Sequence, residues 1–381
     1  MEALGFLENF GSTAIGYVLP FLFVLTIVVF FHELGHFIAA RRCGVGVQVF
    51  SVGFGPELIG FNDRKGTRWR LSLIPLGGFV RFVGDENEAS QTDAKAVAAM
   101  DEDERRRAFA TKSVGARALI VAAGPIANFI LAIAIFTAIF TIYGRQVTTP
   151  RVDDVVVGSP AERAGFKDGD IIVEIDGEPI TDFSQLQRIV SISSDVELTF
   201  VVQRGEERVT LTATPERQEI TDRFGNKHRV GILGIQRNTT GADIKVETYS
   251  PIQAVGMAVS ETWFVTERTL SYLFAVVVGR ESADQLGGPL RVAEVSAQVA
   301  TIGFIALINL AAILSISIGL INLFPVPMLD GGHLLYFAVE AIRGRPLSEK
   351  AQDVGFRIGF AAVLMLMIFA TWNDIIHLSS L

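Results

Sequence analysis

"FHELGHFIAARR", residues 31–42, closes a stretch from Phe10 to Phe31 that contains no Asp, Glu, Lys or Arg. A stretch of that length and composition reads as a membrane-spanning helix. Two histidines four residues apart, His32 and His36, then fall on one face of it. Their imidazoles can hold one metal ion, with Glu33 beside it. An ionisable side chain at the centre of an apolar span costs about 3 kcal/mol unless it is paired. Three such groups together therefore point to a function.

The rest of the chain fits a membrane setting. Half of its 381 residues are hydrophobic and 19% are charged, against about 25% in an ordinary soluble domain. Besides the stretch at about 15–40, spans are expected at about 118–143, within 295–329, and at about 356–376. Glu2 and Glu8, with no Lys or Arg, precede the first stretch, so it is expected to be retained and not cleaved as a secretory leader. Arg41 and Arg42 follow span 1, Lys112 and Arg117 precede span 2, and Arg343, Arg345 and Lys350 lie between spans 3 and 4. This pattern predicts a cytoplasmic location for 41–117 and 343–357. Both termini and the segment 144–294 then lie outside. A net charge of −8, with no basic stripe, argues against nucleic acid. Cys43 is the only cysteine and forms no internal disulfide.

Residues 1–143 thus hold spans 1 and 2, and 295–381 hold spans 3 and 4. Between them, 144–250 has the composition of a soluble α/β module. "VVVGSPAERAGFKDGDIIVEIDGEPITDFSQLQRIV" (155–190) reads as strand, short helix, strand, Asp-Gly turn and helix, followed by a hairpin at 195–214. Its S-P-A-x-x-A-G-x-x-x-G-D-x-I string resembles PDZ domains, and the late "VGILGIQ" (230–236) resembles the circularly permuted bacterial form. That resemblance implies a peptide carboxylate held in the loop from Gly231 to Gly234. Residues 251–280 read as an amphipathic helix at the membrane interface, or one packed on the module, with a linker to 294. "WRLSLIPLGGFVRFVG" (69–84) alternates like a β-hairpin kinked at Pro75 and Gly77-Gly78, and its apolar content suggests that it dips to membrane depth. The charged stretch 85–107 reads as a mobile surface.

A catalytic zinc takes three protein ligands and leaves a position for water. His32 and His36 supply two, and Arg42 stands where an extended motif would carry a third histidine. The best remaining donor is Asp330 in "INLFPVPMLDGGH" (321–333), where span 3 breaks at Pro325 and Pro327. By the charge rule, Asp330 and the histidines lie toward the same end of their spans.

Together these residues resemble the site-2 protease family of intramembrane zinc proteases, in particular the bacterial regulator-of-sigma-E-protease branch. The motif in span 1 and Asn322, Pro325, Leu329, Asp330 and Gly331 of NxxPxxxLDG carry the resemblance. "GFGP" (53–56), "IPLGGFV" (74–80), "AGPIANF" (123–129) and "GGPL" (287–290) extend it over nearly the whole chain. Some members carry two PDZ domains, whereas 144–250 has room for one. The resemblance implies a polytopic helical membrane protein of about four spans with an inserted extracytoplasmic PDZ domain. His32, His36 and Asp330 would hold Zn2+. Glu33 would be the general base for the attacking water and then the acid for the leaving amine. Asn322 would bind substrate backbone or the developing oxyanion. The segment with Gly77 and Gly78 would be a re-entrant β-loop pairing with an unwound substrate. The implied activity is cleavage of transmembrane segments of single-pass proteins, such as anti-sigma factors, in the bacterial inner membrane. It would follow a first cut by an upstream site-1 protease. The rival is a non-catalytic membrane adaptor whose PDZ module binds C-termini.

Overall fold

The structure is a computed structural model and describes residues 2–84, 99–221, 227–237, 244–279, 283 and 287–379. Most of the acidic stretch expected to be mobile, 85–98, lies outside the described residues. The chain divides into two units, one of 1–137 with 255–380 and one of 138–254.

Among the described residues, four helices are long and apolar enough to cross a membrane. They lie in α1 (Glu2–Arg42), α2 (Val114–Ile142), α7 (Phe304–Asn322) and α9 (Glu349–Ser379). The chain is a membrane protein with a separate sheet-rich region inserted between the second and third of these helices. After the sheet-rich region the chain continues as α5 (Pro251–Val277) and α6 (Pro289–Ile302). The long uncharged stretch expected to hold span 3 is divided: α6 ends at Gly303, whose φ of +137° breaks the helix before α7 begins. After α7 the chain turns through Pro325 and Pro327 into α8 (Asp330–Arg343). α5 buries Ala254, Ala258 and Thr262 and exposes Ile252, Trp263, Phe274 and Val277.

Between α1 and α2 lie two long strands, β1 (Val47–Asn62) and β2 (Arg68–Phe82). Here the structure differs from the sequence reading. The halves of 69–84 do not pair with each other. Phe50 of β1 pairs with Trp69 on one side and Val80 on the other, so 49–52 separates the two halves of β2. Residues 57–62 pair with the outer side of 68–72. Four short strands result, in the order 57–62, 68–72, 49–52, 78–82, with bends at Gly53 (φ +88°) and Gly77 (φ +113°). Period-2 alternation marks a strand but not its partner, and the partner here is distant in sequence. Phe50 is buried at the centre and stacks on Trp69 with ring centroids 4.2 Å apart.

The second unit carries the elements read from its sequence. The short helix α3 (Pro160–Ala164) is capped by Ser159, whose side chain accepts from the Glu162 amide; Pro160 occupies its first turn and Gly165 ends it in the left-handed conformation. Strands β3 (Ile171–Ile175), β4 (Glu178–Pro179), β5 (Leu198–Arg204) and β6 (Glu207–Ala213) form one sheet in the order β4-β3-β5-β6, with helix α4 (Phe183–Ile192) following β4. Ile172, Phe200, Val202, Leu186 and Leu233 fill its core.

Asp170 is buried beside that core. Burial alone pushes its carboxyl up, but hydrogen bonds from the Arg204 guanidinium (2.8 Å) and the Lys167 amide (2.9 Å) outweigh this and hold it below the ordinary carboxylate range. Its contribution to stability is therefore complete above the unfolded-state value of about 4 and is lost as pH falls through the depressed folded value. Asp170→Asn is expected to destabilise this unit by about 1–3 kcal/mol at neutral pH and to flatten its acid dependence. Amide exchange of 150–213 in the full chain, followed by mass spectrometry at stepped pH, reads both effects.

Candidate metal centre

α1 presents His32, Glu33 and His36, and the turn after α7 delivers Asp330 as the first residue of α8. His32 Nε2 lies 3.2 Å from His36 Nε2 and 3.2 Å from Asp330 Oδ2, and the third edge, His36 Nε2 to Asp330 Oδ2, is 3.4 Å. Ligands bonded to a tetrahedral zinc at about 2.0–2.1 Å stand about 3.3–3.4 Å apart, so the triangle has the size the ion requires.

The protons support the same fit. His36 Nδ1 is 2.9 Å from the Ile120 carbonyl, which can only accept, so Nδ1 carries the proton and Nε2 its lone pair. Asp330 Oδ2 is buried and has no hydrogen-bond donor. Acceptor atoms gathered in a buried site repel one another unless a cation sits among them. Among the described residues, His32, His36 and Asp330 are the His, Cys, Asp and Glu group placed to hold a metal.

The site is held open by missing side chains. A Cβ on Gly124 of α2 would overlap the His36 imidazole. Gly124→Val is accordingly expected to displace His36 and weaken zinc binding by at least about 10-fold, read by competition with a chromophoric chelator. Gly78 does the same for the base: a Cβ there would come within 3.0 Å of Glu33 Cγ and within 2.9 Å of Val29 Cγ1.

His32, Glu33, His36, Asp330, Asn322 and Gly78 line one cavity of roughly 350 Å³, and Gly77 is also in its wall. At about 30 Å³ per water, that is room for about ten waters or a short stretch of peptide. His32 and Glu33 are each 9% exposed, so the site is enclosed but not sealed. Gly231 and Gly234 lie in the other unit. Gly231 is within β8 (Lys227–Ile232), paired with Arg217 of β7 (Glu216–Thr221), and its face is closed by the Val190 carbonyl. Only Gly234, at φ +85°, is in a turn, so the segment expected as one loop is half strand.

Two residues at the site carried no role in the sequence reading. His333 lines the cavity one turn beyond Asp330 without joining the three donors. Asn128 of α2 places Nδ2 3.3 Å from His32 Nδ1 and is fully buried. The signal for Asn128 was present, because a polar amide inside an apolar span needs a partner as the histidines do.

Known proteins agree with this chemistry. Residues 20–366 match the pattern of Peptidase family M50. The chain belongs to that family. A protein of Agrobacterium fabrum whose name describes a zinc metalloprotease is 51% identical over 375 residues, covering 98% of both chains. A similarly named protein of Rhizobium meliloti is 50% identical over 94% of this chain and 96% of its own. The metalloprotease MmpA of Caulobacter vibrioides is 41% identical over 93% of this chain and 94% of its own. This M50 peptidase is therefore a zinc metalloprotease of the membrane, and the His32, His36 and Asp330 cluster fits its zinc.

Proposed function

We propose that this peptidase cuts peptide bonds within transmembrane segments of single-pass membrane proteins, as the second step of a regulated proteolytic sequence. The observation that supports this most is the depth of the centre. All of its α1 residues belong to a candidate span, Gly16–Arg42, which supports a substrate bond that itself lies in a transmembrane segment. Residues 78–82 strengthen the reading: this strand pairs with 49–52 on one side, leaves its other side unpaired among the described residues, and lines the cavity beside Glu33. A substrate helix that unwinds could add there as a strand, aligned by backbone hydrogen bonds.

Bound zinc supplies the positive charge that acidifies water and polarises the scissile carbonyl. Glu33 takes the proton of the attacking water and delivers it to the departing amide nitrogen. Asn322, at the end of α7, donates its amide N–H to the carbonyl oxygen as that oxygen gains negative charge. The Ile120 carbonyl fixes the tautomer of His36 throughout.

In this reading the chain lies in the bacterial inner membrane with residues 144–250 outside. That module acts as a PDZ domain, with Gly231 and Gly234 near its peptide site, and holds back substrates with intact ectodomains. Anti-sigma factors shortened by an earlier protease are the substrate class of choice.

The test is purified peptidase in detergent or proteoliposomes, given a panel of single-span proteins with full or truncated ectodomains and analysed by mass spectrometry. Cuts inside the apolar segment are expected, faster for truncated forms and abolished by a zinc chelator. Cuts confined to extramembrane loops would overturn the intramembrane assignment. Equal rates for full and truncated forms would overturn the gating role of the module.

A further inference from the structure

Asn128 is 0% exposed in the middle of α2, among residues that otherwise pack as hydrocarbon. Its position is tightly determined. Ser315 Oγ of α7, itself fully buried, donates to the Asn128 carbonyl at 2.9 Å. One turn later a Cβ on Gly319 would come within 3.1 Å of Asn128 Cβ and 3.2 Å of the Pro125 carbonyl, so α7 presses directly on this part of α2. The side chain is thereby aimed at α1, where one end of its amide meets His32 Nδ1. The other end is buried with no partner. Nothing but the histidine therefore decides which end of the amide faces it, and nitrogen and oxygen are interchangeable in shape.

The chemistry of the histidine settles the choice. His32 Nε2 points to His36 Nε2 and Asp330 Oδ2, and it can ligate a metal only with its lone pair free. The ring proton must then be on Nδ1, which needs an acceptor. We propose that Asn128 is a positioning residue of the metal centre: it turns its amide oxygen to His32 and accepts the Nδ1 proton, which holds the ring in the ligating tautomer. His36 obtains the same service from a backbone carbonyl, Ile120, also on α2. One helix thus orients both imidazoles of α1 without touching the metal position. Through Ser315 and Gly319 it is also keyed to α7, the helix that ends in Asn322.

This inference rests on the zinc reading of the site, and zinc affinity tests it without reference to proteolysis. Wild type, Asn128→Leu and Asn128→Asp are titrated in detergent with zinc against a chromophoric chelator, and their cobalt forms are compared by visible absorption. Leucine is bulkier than asparagine or aspartate, so Asn128→Ala, which lacks the acceptor and adds no volume, is titrated alongside and is expected to weaken zinc as Asn128→Leu does. Asn128→Leu and Asn128→Asp share a branched skeleton of four heavy atoms. The proposal predicts that they separate. Leucine has no acceptor and should weaken zinc by about 10- to 100-fold, whereas aspartate accepts the Nδ1 proton and should stay within a few-fold of wild type with a tetrahedral cobalt spectrum. An Asn128→Leu protein that binds zinc like wild type overturns the proposal. So does an Asn128→Asp protein as weak as Asn128→Leu, since that would mark a packing role. Wild type that takes up no stoichiometric zinc would overturn the metal reading itself, a result distinguishable from either.

Discussion

Replacing Glu33 by glutamine is expected to lower the rate of peptide cleavage by about 10²–10⁴-fold while one zinc per chain stays bound. The substitution preserves shape and leaves His32, His36 and Asp330 untouched. It removes only the ability to take a proton from water and return it to the leaving nitrogen. Glu33 is well placed for that transfer, because it follows His32 in the chain, lines the same cavity and is 9% exposed. Cleavage rates on one verified substrate, with metal content by atomic emission on the same samples, measure both halves of the expectation. A rate near wild type would mean that another group is the base. Loss of zinc would mean that Glu33 is a ligand.

The second large effect is on the metal. Asp330→Ala should weaken zinc binding by more than about 100-fold and remove activity with it, because it takes away one of three donors at the 3.2–3.4 Å spacing. The local fold should survive, since α8 is positioned by its glycines and not by the carboxylate. Cβ atoms on Gly331 and Gly332 would overlap the carbonyls of Leu323, Phe324 and Val326, so the start of α8 is pressed into the turn before it. Asp330→Asn is the informative companion: it keeps the shape and one oxygen but not the negative charge. It should bind zinc more weakly than wild type and more tightly than Asp330→Ala. Equal, undiminished zinc in both variants would remove Asp330 from the centre and leave the third ligand to be sought elsewhere in the cavity, with His333 the first candidate.

The candidate spans, the three donors that meet in the cluster and the order of elements in the sheet-rich unit were all legible along the chain. Each rests on short-range physics. A long uncharged run needs no partner to be identified, because the bilayer is the partner. His32 and His36 share a helix face whatever surrounds them. Ser159, Pro160 and Gly165 mark the ends of their helix through local hydrogen bonds and dihedral preferences. Asp330 was reachable as well, because a carboxylate beside a broken span is costly at that depth unless a cation or a donor partners it.

Tertiary structure decided the rest. The alternation at 69–84 could not reveal that 49–52 runs between its halves, since strand pairing is a long-range choice made by β1 and by the bends at Gly53 and Gly77. Nor could it show which glycines serve the site: Gly124 and Gly78 are indistinguishable in sequence from other glycines until His36 and Glu33 are seen where a Cβ would go. Asn128 is the sharpest case. Its residue type announced only that a polar group in an apolar helix needs a partner. That the partner is His32, and that α2 orients both imidazoles of α1, follows from helix packing, which depends on contacts between residues about a hundred positions apart.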